Sequence, residues 1–143
     1  MADVSDPAIS AAYQAIRSDS DPTEWVVIYY VSGDKLAVRA TGSGGFDEVA
    51  DQFKDDECAY AYVRVTTGDA ESKRAKFVFV AWTGESAGIL RKAKVSVHKA
   101  NVKSVFRDFA VEVHAAERDD LNHEKVLAVV KKAGGANYMG QES

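Results

Sequence analysis

Two apolar stretches of matched length frame a polar loop: CAYAYVRVTT at 58–67 and AKFVFVAW at 75–82, separated by GDAESKR at 68–74. Runs this rich in aromatic and β-branched residues favour strands, and their matched lengths predict a hairpin. A third run, WVVIYYV at 25–31, is apolar on both faces, the pattern of a central strand. Strands apolar on both sides need cover on both sides, so helices are expected on each face of one sheet.

The intervening segments supply that cover. Asp6-Pro7 reads as a helix cap with proline at the first helical position. Ile9, Ala12, Tyr13 and Ile16 follow at helical spacing. Ser32-Gly33-Asp34 turns the chain into a polar strand, Lys35–Ala40. After the TGSGG loop at 41–45, Phe46, Val49, Ala50 and Phe53 restore helical spacing. Val111 and Val113 alternate with Glu112 and His114, predicting a short edge strand. Asp119 or Asp120 is expected to cap a last helix with Val126, Val129, Val130 and Ala133 inward and Gly134-Gly135 as its stop. The order α-β-β-α-β-β-α-β-α describes a single α/β (α+β) domain over 1–135, a mixed sheet flanked by helices. Residues 136–143 are expected to form a flexible C-terminal tail.

The segment after Trp82 carries a conflict. Ile89, Leu90, Ala93 and Val97 lie on one helical stripe, and Val102, Val105, Phe106 and Phe109 on another. At about 100° per residue these stripes fall on nearly opposite sides of a continuous helix. One sheet cannot bury both, which predicts a kink or break near Val97–Asn101.

Charge narrows the functional classes. Residues 1–57 hold four basic against twelve acidic side chains, and 58–143 hold fourteen against ten, within a net charge of −4. Nonspecific nucleic-acid binding needs a basic domain, so no nucleic-acid partner is expected. A basic region on an acidic protein suits a specific acidic partner. No apolar stretch has the length of a membrane span, and MADVSDPAIS lacks the basic start and apolar core of a secretion signal. With one cysteine, Cys58, the expectation is a soluble, cytoplasmic protein without disulfides.

Catalytic chemistry finds no support. His98, His114 and His123 lack metal-site spacing and read as solvated or half-buried residues. Cys58 follows acidic residues that would raise its thiol pKa. The 41–46 loop lacks the Gly-Lys-Ser/Thr ending of a phosphate-binding loop. No enzyme, cofactor, metal or nucleotide is expected. The basic residues remain: Lys73, Arg74 and Lys76 at the hairpin, Arg91, Lys92, Lys94, Lys99 and Lys103 along the next helix, and Lys125, Lys131 and Lys132 on the last.

Three segments carry a family resemblance: TTGDAESKRAKFVFVAWTGE at 66–85, GILRKAKVSVHKANVKSVF at 88–106 and KKAGGANY at 131–138. Together they resemble the coactosin branch of the actin-depolymerising-factor homology (ADF-H) family, over nearly the whole chain. The resemblance implies the ADF-H fold with a long kinked helix after the second hairpin. It implies binding to filamentous actin, little affinity for monomers, no severing, and opposition to barbed-end capping. By family pattern the actin-binding residues are Lys73, Arg74 and Lys76, with Lys76 foremost, together with Lys92 and Lys94 on the long helix. Lys131 and Lys132 match the C-terminal basic pair, serving the filament or a second protein partner. Small Ala93 stands where severing members carry a large apolar residue, and Ser5-Asp6-Pro7 is not their phosphorylation motif. A monomer in the actin cytoskeleton is expected. The alternatives are a cofilin-like severing and monomer-binding protein, or a phosphoinositide-binding module at the membrane surface.

Overall fold

The computed structural model describes residues 1–67 and 74–136. Its elements follow the expected order: α1 (Pro7–Arg17), β1 (Trp25–Ser32), β2 (Lys35–Gly42), α2 (Phe46–Gln52), β3 (Cys58–Thr67), β4 (Arg74–Thr83), α3 (Ile89–Lys103), β5 (Val111–Ala115) and α4 (His123–Ala136). A 3₁₀ turn, Arg118–Leu121, joins the last two. The five strands form one sheet in the order β2-β1-β3-β4-β5. Neighbours are antiparallel except β5, which lies parallel to β4 at the edge. Parallel pairing needs a crossover, and α3 provides it.

The double-sided strands divide the core in two. Tyr60, Tyr62, Phe79 and Ala81 face one way and pack with Ile9, Tyr13 and Ile16 of α1 and Val95 and Val102 of α3. Ala61, Val63, Val65, Val78, Val80 and Trp82 face the other way, against Phe46 and Val49 of α2 and Val126 and Val130 of α4. This period-2 division is the physical meaning of the apolar runs. At the start of α1 the Asp6 carboxylate accepts from Ala8 N–H at 3.0 Å. Gly33 takes φ +54° in the tight β1–β2 turn, a conformation that favours glycine.

Several expectations are corrected. Helix α3 runs unbroken from Ile89 to Lys103, so the chain does not break at Val97–Asn101. The stripe conflict is resolved by leaving one stripe in solvent: Ile89, Leu90 and Val97 are 84%, 80% and 63% exposed. The helix ends before the second stripe is complete, and Val105 and Phe106 turn inward after it, Phe106 N–H bonding to Val102 O at 2.9 Å. Helix α4 is capped by Asn122, whose side-chain oxygen accepts from Glu124 N–H at 3.0 Å, not by Asp119 or Asp120. It also continues through Gly134-Gly135 to Ala136, since glycine only weakens a helix that packing sustains. Val129 of this helix is exposed rather than inward. Thr41 and Gly42 belong to β2, not to a loop. The tail expected at 136–143 lies, beyond Ala136, outside the described residues.

Candidate functional site

The basic residues at the β3–β4 hairpin begin where the ladder is longest. Ten residue pairs join the two strands, from Cys58↔Thr83 to Thr67↔Arg74. Lys76 pairs with Val65, fixing its backbone in a rigid sheet while its side chain is half-exposed. A shallow groove of about 260 Å³ opens beside it, lined by Arg17, Lys76, Phe77, Asp108 and Phe109 among others. Arg17 is held there by Asp108 at 2.9 Å and by the Phe77 ring, 4.6 Å below its guanidinium. Arg64 braces the same strand pair to α1, donating to Ile16 O and Ser18 O at 3.0 Å each. The backbone of Arg74 pairs with Thr67. Lys73 lies outside the described residues.

Helix α3 presents its cations differently. Lys92 Nζ donates to Glu85 O at 2.8 Å. Lys94 and Arg91 share Asp34 of the β1–β2 turn, at 3.4 and 3.3 Å, and the Arg91 guanidinium also covers the Tyr30 ring at 3.9 Å. Lys99 and Lys103 grip Glu112 of β5 at 2.8 and 2.5 Å, with His114 at 2.8 Å from the same carboxylate. Burial alone would raise the Glu112 carboxyl, but hydrogen bonds from Lys103 and Lys99 outweigh it and bring it down to about 2. Beside these pairs runs the exposed apolar stripe of Ile89, Leu90 and Val97.

The expected site residues therefore do not converge on one patch. Lys76 alternates with Val78 and Val80 on the side of the sheet covered by α2 and α4, and Lys131 and Lys132 are exposed on α4. Lys92 and Lys94 ride on α3, over the opposite face. On α4, Lys125 is paired with Asp119.

Three features escaped the sequence reading. His98 is a core residue, 2% exposed, not a solvated or half-buried one. Arg91 and Asp34 meet across 57 positions of sequence, a separation no local pattern announces. The solvent-facing stripe of α3 was visible as a stripe but was assigned to the core. Burial raises the Cys58 thiol pKa, and Glu48 occupies the turn after β2 by accepting from Gly44 N–H and Trp25 Nε1 at 2.9 and 3.0 Å. A phosphate would meet that carboxylate. Among the described residues no cluster of three potential metal ligands occurs, and no helix is long and apolar enough to cross a membrane.

Comparison with known proteins gives a consistent set of relatives. The family model for the cofilin/tropomyosin-type actin-binding protein matches residues 1–131. Coactosin of Dictyostelium discoideum is 48% identical over 144 residues, covering 100% of this chain and 99% of its own. Among solved structures, human coactosin-like protein superposes with a TM-score of 0.85 at 33% identity, over 92% of this chain and 99% of that one. Mouse coactosin, described as an actin filament binding protein, has a TM-score of 0.77 at 36% identity and covers 99% of each chain.

Proposed function

This chain belongs to the cofilin/tropomyosin-type actin-binding family, and on that premise we propose that it is an actin-binding protein of the filament side, acting from the end of its longest hairpin. The observation that carries this reading is Lys76, a half-exposed cation held on a paired strand beside an open groove. A side chain on a ladder-fixed backbone loses little freedom on docking to an acidic filament. Arg74 and Lys73, just before Lys76 in sequence, belong to the same proposed contact. The likeness to mouse coactosin, a filament-binding protein spanned almost end to end, supports the filament rather than the monomer as the target.

Helix α3 provides the second contact through Lys92, Lys94 and the apolar stripe beside them. Small Ala93 in that stripe offers less to grip a monomer than a large side chain would. The protein neither severs filaments nor captures monomers, and it alters filament behaviour by occupying sites that capping or severing proteins require. Lys131 and Lys132, on a different helix, serve the filament or a second protein partner. The protein acts as a monomer in the cytoplasmic actin cytoskeleton.

Co-sedimentation with actin filaments across a salt series tests this, because ion pairs at a surface weaken as salt rises. Wild type pellets at low salt and is released as salt increases, while Lys76→Ala stays in the supernatant. Equal pelleting of both would move the site away from the hairpin. Tight binding to monomeric actin would favour the cofilin-like alternative, and binding to anionic vesicles without actin the phosphoinositide-binding one.

A further inference from the structure

We propose that the groove beside the start of β4 is a docking slot for an acidic side chain on an apolar segment of the filament, with Arg17 as its anchor and Asp108 as the carboxylate that the partner replaces. The inference rests on the filament reading above and extends that contact from the hairpin to the end of α1.

The groove, about 260 Å³, lies between the last residue of α1, the start of β4 and the segment after α3. Its two rings are held from behind. Phe77 stacks on the Tyr62 ring, with centroids 5.6 Å apart, and Phe109 lies 5.4 Å from the Phe79 ring. The fully buried Tyr62 donates its hydroxyl hydrogen to Asp108 O, and Ala110 N–H bonds to Phe77 O at 2.8 Å. The wall carrying Asp108 is thus pinned to the sheet on both sides of Phe109. Arg17 closes α1, where a cation suits the terminal carbonyls of the helix. Its guanidinium lies over the Phe77 ring at 4.6 Å, a stack that leaves the N–H edge for acceptors.

The Arg17 pair differs from the pair that Arg39 makes. Arg39 grips Glu57 with two nitrogens, at 2.5 and 2.7 Å, and both side chains are largely buried. Arg17 reaches Asp108 through Nη2 at 2.9 Å, with the side chains 34% and 64% exposed. A pair that open to water adds little to the fold, so one carboxylate can be exchanged for another at small cost. Charge and shape then set the class of occupant. Arg17 and Lys76 line the groove against the single carboxylate of Asp108. Arg107 and Lys103 stand nearby, 5.6 Å from the Tyr13 ring and 5.7 Å from the Phe109 ring. Phe77 and Phe109, both half-buried, supply an apolar surface between these cations. A lipid headgroup would satisfy the cations and leave the rings uncovered, whereas an acidic side chain with an apolar neighbour meets both. Rings and a stacked guanidinium already in place lose little freedom on docking.

The test is filament co-sedimentation of wild type, Arg17→Ala, Arg17→Lys and Asp108→Asn, with a thermal midpoint for each. Arg17→Ala loses about three- to tenfold in affinity. Asp108→Asn, which frees the guanidinium, gains about two- to threefold. Arg17→Lys keeps the net charge but loses the stacked fork, so it stays about two- to fivefold below wild type. Wild-type affinity in both Arg17→Ala and Asp108→Asn overturns the proposal. Full affinity in Arg17→Lys does so too, because Arg17 would then act only through its charge. Pelleting with phosphatidylserine vesicles that Arg17→Ala abolishes would assign the groove to lipid and overturn the slot for a protein segment. Should Arg17→Ala not fold, Asp108→Asn on its exposed loop decides. Should wild type bind no filaments, the filament reading fails, and NMR of the free chain decides the slot. There the probes are an acetylated Glu-Leu-Glu-Leu peptide and its Gln-Leu-Gln-Leu counterpart. The slot requires the Arg17 N–H signals and the Phe77 and Phe109 ring signals to move with the acidic peptide and not with the neutral one. Equal movement with both, or none with either, overturns it.

Discussion

Lys76 on β4 and the lysines of α3 carry the same charge in opposite circumstances. Lys76 sits on a strand whose backbone is fixed by its ladder, with its side chain half-exposed. Lys99 and Lys103 already have a carboxylate between them, and Lys94 shares one with Arg91. A cation that closes on its own protein must give up that partner before it can take another. The comparison teaches that a count of lysines along an element says little about binding until their internal partners are known. It also divides the proposed interface into a preformed half on β4 and a half on α3 whose charges are restrained.

The largest effect is expected where that restraint is strongest. Glu112 is 19% exposed and its carboxyl falls from an ordinary 4.5 to about 2. A shift of this size corresponds to at most about 3 kcal/mol, which partial exposure reduces to about 2 kcal/mol. Because the folded-state value lies below the unfolded one, this stability is present above about pH 4.5 and is lost as the pH falls toward 2. Glu112→Gln therefore lowers stability by about 2 kcal/mol at neutral pH and flattens the acid limb of a urea-denaturation series. A wild-type acid limb unchanged by the substitution would mean that Lys99 and Lys103 are less restrained than their distances indicate.

Lys76→Ala is the complementary experiment, with its effect on binding rather than stability. A central contact of this kind costs about tenfold in filament affinity, measured by co-sedimentation at low salt. Its melting temperature stays at the wild-type value, since the side chain is half-exposed and adds little to the core. Lys99→Ala serves as its control on α3, with filament affinity within about twofold of wild type. If the two lysine variants exchanged these phenotypes, the division between a preformed and a restrained half would be wrong.

The physical reasons some of this was legible in sequence are specific. Tyr60, Tyr62 and Phe79 on one face, with Val63, Val78 and Val80 on the other, alternate along strands buried on both sides, and such runs announce a covered sheet. Ile9, Ala12, Tyr13 and Ile16 all reach the core because α1 has one apolar stripe and one sheet to place it on. Helix α3 has two stripes, and periodicity cannot say which of them meets the sheet. A break follows only if every stripe must be buried, and the helix runs unbroken because that assumption fails. The lysine positions were legible, but their partners were not: Glu112 lies on β5 and Asp34 on the β1–β2 turn, brought to α3 by the sheet. His98 shows the same limit, since nothing local marks a histidine that will meet Tyr30 across the core.

The exposed stripe gives the smallest and most discriminating effect. Leu90 and Val97 are 80% and 63% exposed, so replacing either with serine removes almost no buried apolar area. The chemical-denaturation midpoint of Leu90→Ser or Val97→Ser should correspond to a change within about 0.5 kcal/mol. If α3 touches the filament, the same variants lose about two- to threefold in affinity, the effect of partly desolvating one small apolar group. Apolar contacts of this kind do not weaken as salt rises, whereas the Lys76 contact does. The two halves of the interface should thus separate in a salt series, with the stripe variants losing the same factor at every salt concentration while the Lys76→Ala loss shrinks as salt rises. A stripe loss that shrinks with salt in step with the Lys76→Ala loss would mean that the stripe and Lys76 act as one contact, and a loss of zero would leave the hairpin as the sole filament anchor.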